Sequence, residues 1–447
     1  MNSIFINNIW KSKKFANTFW AVVSKLISGV KLVVIGVIVA RSLGPEDFGS
    51  YNYVISFVTL LSVLAEFRFH NILIREISEQ NAKTELILGS TFISCIMFSI
   101  LGYISLTMLV YVFESDKNLQ WFILLFGISY FFQTLRFLRA LFIAKLKNNI
   151  IFKIETTVGI VVIILALLFG FGKGSVLLFI LLRIFDVFLV SILFLFFYQL
   201  IYKNLFEWKF SRDFSWGLIK NSFPLVISSL ALVVFQQFDK IMIKQILDEY
   251  SVGQYSASVS IISLIVFIPI VITEAVSPYL IQMKIIKNAE DYKIRLQIFS
   301  DYIIWGSIVL SFIIMLLSPI IIQIVYGPKY YESIAIMKVF AWQGVLIAMG
   351  AVSAQIMIID NTHQIAYLKS ISGGILNIVL NIFWIPKYGI MGAVFASLLA
   401  YGISSYIIHY FIKRYRYIFF IQSKSLTHGL LNIYYNLKKI NDKNDKT

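Results

Sequence analysis

The chain has 447 residues, 59% of them hydrophobic and only 14% charged, and a mean hydropathy of +0.82. A soluble domain carries about 25% charged residues, so an ordinary water-soluble fold is excluded. The formal net charge of +16 has no soluble domain to offer nucleic acid; it fits attraction to anionic lipid head groups instead.

Cys95, the single cysteine, sits inside an apolar run, and His70, His363, His409 and His428 are scattered. A disulfide framework, a thiol metal site and a histidine metal cluster therefore drop out. There is no GxxxxGK[ST] loop and no nucleophile–base pair, so neither a cofactor nor an enzymatic reaction is expected.

A bilayer core about 30 Å thick needs roughly 20 apolar residues per helix. Such runs predict an all-α polytopic membrane protein with twelve spans. They fall near 17–40, 51–67, 86–112, 119–143, 150–171, 175–201, 217–243, 252–274, 299–325, 333–359, 366–385 and 389–412. The first run follows Lys11, Lys13 and Lys14 and is too long for a signal peptide, so it stays as the first span. From Lys413 onward the chain is basic and polar, ending "KKINDKNDKT". That tail reads as disordered, with "SLTHGLLNIYYNL" a candidate surface helix. The predicted organisation is a cytoplasmic segment 1–16, an N-lobe 17–205, a C-lobe 206–415 and a basic tail 416–447.

Charge tests the span count. Lys and Arg mark the cytoplasmic side, and alternate segments hold 28 of them against six on the opposite face (Arg41, Lys117, Lys173, Lys244, Lys329, Lys387). Both termini are expected inside. The outer loops are short, with no room for the external catalytic loop of a glycan polymerase or ligase.

The stretch "ARSLGPEDFGSYNYV" after the first span recurs, shifted by 204 residues, as "KQILDEYSVGQYSASV". Leu43, Gly49, Tyr51, Ser56 and Leu60 meet Leu247, Gly253, Tyr255, Ser260 and Leu264. Both copies join the first two spans of a six-span half, giving a parallel repeat of the kind transporters use. In the first copy Gly supplies backbone freedom and Pro45 stops the helix.

These residues resemble the Wzx-type O-antigen flippases, the polysaccharide branch of the MOP (MATE-like) superfamily. Three pieces carry the likeness: "ARSLGPEDFGSYNYV", "FPLVISSLALVVFQQFDKIMIKQIL…VGQYSASV" with Pro224 and Asp239-Lys240, and "LNIVLNIFWIPKYGIMGAVFASLLAYGIS". The chain departs from that family after the second span, where "AEFRFHNILIREI" places Glu66, Arg68 and His70 at a normally Gly-rich, uncharged turn. The resemblance implies two six-helix bundles in a V and transfer of undecaprenyl-diphosphate-linked oligosaccharide from the cytoplasmic to the periplasmic leaflet of a bacterial inner membrane. It implies that glycolipid, membrane lipids and other O-antigen polymerisation and export components as partners, with no nucleic acid. A drug exporter of the same superfamily is the alternative; a glycan polymerase or ligase is a third reading.

Ionisable residues within spans cost at least about 2.5–3.5 kcal/mol each and normally face a wet cavity or a partner. Lys25 and Lys31, with Ser24 and Ser28, make a polar stripe on the first span, lining a cavity or held by structural pairing. Gln236, Lys240 and Lys244 form a second stripe, and Asp239 beside them neutralises a cation or carries a coupled proton. Gln133, Arg136 and Arg139 end the fourth span, where Arg136 serves topology or meets diphosphate. Arg183 and Asp186 are an expected ion pair, with Arg183 also a cavity candidate and Asp186 a coupling candidate. Glu274, between Pro269 and Pro278, is a gate, a proton site or an interfacial acid. Lys338 adds another cation, and Asn377 and Asn381 suit interhelical hydrogen bonds.

Overall fold

The computed structural model describes residues 13–79, 83–172, 174–202, 207–286, 289–360, 362 and 367–444. Every regular element among them is helical, as hydrocarbon demands of a chain that must satisfy its own backbone. Lys11, Lys173, Lys203, Lys287, His363 and the final residues of the tail lie outside the described residues.

Two compact units divide the chain. The first, Met1–Ile241, contains α1 Lys13–Leu43, α2 Pro45–Glu66, α3 His70–Glu79, α4 Thr84–Phe113, α5 Lys117–Gly127 and α6 Ser129–Gln133. A tighter turn over Thr134–Phe137 leads into α7 Leu138–Ala144, α8 Asn148–Phe171, α9 Val176–Tyr202 and α10 Arg212–Ile246, which runs on past the boundary. The second unit, Met242–Thr447, holds α11 Glu249–Ile286, α12 Ala289–Val325, α13 Glu332–Phe340, α14 Gln343–Ile359, α15 Tyr367–Tyr388, α16 Ile390–Gly402, α17 Ile408–Phe411 and α18 Arg416–Asn444. Among the described residues, twelve helical stretches are long and apolar enough to cross a bilayer. This is a multi-pass membrane protein.

Short turns join α1 to α2 and α10 to α11. Gly44 takes φ 80 before Pro45, a left-handed conformation that glycine enters without a Cβ clash. Its amide donates to Ala40 O, and its carbonyl accepts from Phe48 N. The repeat starts its helix without a left-handed residue: at Asp248 the carbonyl accepts from Val252 N and the side chain caps Ser251 N at 2.7 Å. Glu46 and Asp47 occupy the first turn of α2, where acids complement the helix dipole.

Helix packing relies on small residues, as expected where lipid supplies no hydrophobic drive between helices. A Cβ on Gly159 of α8 would meet Lys31 Cδ at 3.3 Å, and one on Gly102 of α4 would meet Ala65 at 3.0 Å. The segment before α10 is stitched onto α4: Lys209 N donates to Glu85 O and Ser211 N to Ser90 Oγ. Gly89 admits that backbone, since a Cβ there would lie 2.4 Å from Lys209 O.

Three features differ from the sequence expectations. The second span bends at Phe67–Arg68 into α3, and the fourth is broken into α5, α6 and α7. The tail is no disordered strand of chain but the 29-residue α18. It is held to α12 by Trp305 Nε1 donating to Ser425 O and Asn432 Nδ2 donating to Asp301 Oδ2. Buried side chains, not tail composition, decide its structure: Tyr415, Ile418, Gln422 and Ser425 are each fully enclosed.

Candidate functional site

The first unit carries a polar seam through its spans, built on α1. Ser24, Ser28 and Lys31 are spaced to share one face of that helix. Ser24 Oγ and Ser28 Oγ both donate to Glu155 Oε2 of α8, the second at 3.0 Å. Arg139 Nε of α7 lies 3.3 Å from the other oxygen, Oε1. One turn further along α1, Lys31 Nζ donates to Asp186 Oδ1 and Oδ2 of α9 at 2.8 and 3.0 Å. Arg183, three residues before Asp186 on the same helix, reaches Oδ2 at 3.2 Å. The Asp186 side chain is 7% exposed, Lys31 14% and Arg183 24%.

The seam therefore sets three cations, Arg139, Lys31 and Arg183, against two carboxylates, Glu155 and Asp186. Within this group, among the described residues, one positive charge is in excess. Lys31 does not present a bare ammonium to a cavity, because Asp186 grips it through both oxygens. The expected Arg183–Asp186 pair is present and is enlarged by Lys31 into a triad. Tyr51 of α2 lies in the field of both Arg183 and Asp186. Lys25, one turn before Lys31's neighbours, is on an exposed part of α1.

The second stripe is divided by its partners. Lys240 Nζ lies 3.4 Å from Gln237 Oε1, which also accepts from Ser56 Oγ of α2 at 3.0 Å. Asp239 is 3% exposed, whereas Gln236 is exposed. Lys244 instead pairs with Glu249 at 3.5 Å across the turn into α11. Glu274 is exposed on α11, which continues as a helix through Pro269 and Pro278. Lys338 is exposed on α13.

Arg136 joins a different group. A cavity of about 230 Å³ is lined by Glu66, Arg68 and His70 from the α2–α3 turn and by Gln133, Arg136 and Arg139 from the broken fourth span. The residues that depart from the family pattern thus converge with those that end the fourth span.

In the second unit Lys369 is not a loop cation. Its Nζ donates to Ser353 Oγ at 2.7 Å on α14, inside the helical packing. His409 Nδ1 lies 3.0 Å from Gln422 Oε1, whose amide nitrogen donates to Met349 O and Ser405 O. Asn377 Nδ2 donates to Ser397 Oγ on α16, the interhelical role its spacing suggested. Among the described residues no three His, Cys, Asp or Glu side chains group to hold a metal ion.

Sequence reasoning missed Glu155 and Asp301. Each is a lone acid in an apolar span, which is itself a signal. Asp301 is 1% exposed and accepts from Gln297 Nε2 at 2.8 Å as well as from Asn432.

The fold is shared with solved transporters. An inward-facing multidrug resistance MATE family transporter of the MOP superfamily superposes with TM-score 0.70 at 13% identity, covering 89% of this chain and 96% of that one. The lipid II flippase MurJ, in an inward closed conformation, gives 0.65 at 16% identity, covering 94% and 93%. A MOP superfamily transporter from Pyrococcus furiosus, described as having a binding pocket of reverse polarity, gives 0.54 at 12%, covering 92% and 93%. No curated protein sequence matches the chain. The family model described as polysaccharide biosynthesis protein matches residues 15–284, more than half of the length, and the chain belongs to that family.

Proposed function

We propose that the protein is a flippase that moves undecaprenyl-diphosphate-linked oligosaccharide, the O-antigen repeat unit, from the cytoplasmic to the periplasmic leaflet of a bacterial inner membrane. Family membership supports a role in polysaccharide biosynthesis, and the MATE- and MurJ-like fold supports alternating access as the mechanism. The observation that carries the reading is the unbalanced seam: Lys31 and Arg183 share one carboxylate within apolar spans.

The physical problem is a diphosphate that must leave water while its polyprenyl tail stays in hydrocarbon. Unpaired, such a charge is expelled from a low-dielectric medium. Two cations on one carboxylate are a partial answer held in reserve. Phosphate oxygens can replace Asp186 on Lys31 or Arg183 without leaving any charge alone, because one anion exchanges for another. Arg offers the planar fork and Lys the point charge that suit phosphate. Lys25 and Lys240 extend the cationic path, and Asp239, Glu274 and Asp186 are the carboxylates to which coupling or gating falls. The MATE-like drug-exporter alternative needs acids open to a cation, and in the seam Glu155 and Asp186 are both already neutralised.

The test is complementation of a strain lacking the gene. Lys31→Ala combined with Arg183→Ala should leave the protein inserted while lipid-linked oligosaccharide accumulates on the inner leaflet, measured by mass spectrometry. Normal export by that variant would remove the proposal's basis.

A further inference from the structure

We propose that the cavity formed by Arg68, Arg136 and Arg139 in the first unit is a built binding site for a phosphate-class oxyanion, separate from the Lys31–Asp186–Arg183 triad. Nothing in the family resemblance assigns Arg68 or His70 a role; the position is ordinarily a Gly-rich turn.

The backbone is the first reason. Phe67 and Arg68 are consecutive non-glycine residues with φ 45 and 52, a conformation that strains any residue with a Cβ. The strain is braced from outside: the Phe67 ring stacks on Phe98 of α4 with centroids 3.7 Å apart. The turn so fixed makes Arg68 part of the cavity wall. Its Nε is buried and has no hydrogen-bond partner among the described residues. Buried polar atoms left this way signal a missing ligand or water.

The fourth span is the second reason. Continuing as a regular α-helix would satisfy its backbone, yet it breaks at Ile128 and tightens over Thr134–Phe137, the segment that brings Gln133 and Arg136 to the cavity. Mid-helix interruptions of this kind mark functional positions. Arg139 is oriented from behind by Glu155.

Charge and volume select the ligand. The wall holds three guanidinium groups against one lining carboxylate, Glu66, with Glu155 behind Arg139 offsetting one of them, and His70 lies in the field of all three. A cation is repelled. A site needs only about 10–15 Å³ to hold one water, so about 230 Å³ admits a tetrahedral oxyanion with its hydration. Guanidinium forks match phosphate oxygens two at a time. Free phosphate, free diphosphate and a lipid diphosphate head group share this chemistry; the proposed function enters only by naming the last as a source.

The experiment is equilibrium binding of radiolabelled inorganic pyrophosphate to the full-length protein in phosphatidylcholine nanodiscs. Saturable binding is expected, weakened about tenfold or more in Arg68→Gln and in Arg136→Gln, and unchanged in the control Lys117→Gln. Arg136 is exposed, so its substitution tests the site even where Arg68→Gln fails to fold. Undecaprenyl diphosphate added to the discs should displace pyrophosphate when the lipid head group is the occupant; failure to displace, with binding still arginine-dependent, assigns the site to a free anion. Absence of saturable pyrophosphate binding, or binding undiminished in Arg136→Gln, overturns the proposal. Because the readout is binding and not export, an anion site that survives alongside normal export by the triad variant would separate this inference from the flippase reading.

Discussion

Asp186→Asn is the most revealing single change in the seam. It keeps the shape of the side chain and removes the carboxylate that contacts both Lys31 at 2.8 Å and Arg183 at 3.2 Å. Charge-assisted hydrogen bonds contribute about 1.5–3 kcal/mol each, but three bonds to one carboxylate are not additive. Stripping a buried ion pair of one partner costs about 3–5 kcal/mol, and the 24% exposure of Arg183 moves the expectation to about 3 kcal/mol. For a unit of this size that is on the order of 6–12 °C in unfolding midpoint. The assay is thermal unfolding of purified protein followed by intrinsic tryptophan fluorescence. The double variant Lys31→Met with Asp186→Leu replaces the principal pair by apolar volume and should recover most of the loss, since such swaps are often neutral. A midpoint for Asp186→Asn within about 2 °C of the parent, or a double variant as unstable as the two singles summed, would refute the claim that the triad is an energetically coupled unit.

Other substitutions test the architecture. Leu146 has φ 54 and is 56% exposed, so Leu146→Gly should raise stability by about 0.5–1 kcal/mol in the same unfolding assay; Phe67→Gly should lower it, because the stacked ring is worth more than the relieved strain. Gly89→Ala drives a methyl to 2.4 Å from Lys209 O and should destabilise by about 2 kcal/mol through overpacking, seen as earlier unfolding and proteolysis in the 207–211 segment. Tyr417 OH donates to Asp360 Oδ2 at 2.6 Å, and burial first, then that hydrogen bond and the carboxylate's charge, push its phenol above the usual range. The folded state thus holds the proton longer than the unfolded chain does; the associated stability is complete below about pH 10 and falls as pH rises further, a slope that Tyr417→Phe should flatten in pH-dependent unfolding.

The spans could be read from the chain because bilayer thickness sets a length that apolar runs either meet or miss. Gly44-Pro45 announced its turn through local sterics alone. Less was visible wherever a side chain's partner is far along the chain. For Lys31 the sequence leaves cavity-lining and structural pairing both open, because nothing local betrays that Asp186, 155 residues away, grips it. Glu155 was passed over for the same reason. Lys369 is one of the 28 cations that the charge pattern assigns to the cytoplasmic side, yet it is turned inward to Ser353. Gly127 stands at the first break of the fourth span, but the tightening over Thr134–Phe137 has no proline or glycine within it to mark it, and the left-handed pair Phe67–Arg68 runs against the preference of both residues. The tail's basic composition concealed Gln422 and Ser425, whose burial depends on helices made earlier.

That tail has a temporal consequence. α18 leaves the ribosome after all twelve spans, and only then can Asn432 reach Asp301 and Ser425 reach Trp305. Until that moment α12 sits in the bilayer with a carboxylate and an indole lacking those partners. Those hydrogen bonds of the second unit must wait until α18 has been made, so its packing is completed by the segment translated after the spans rather than by the spans themselves.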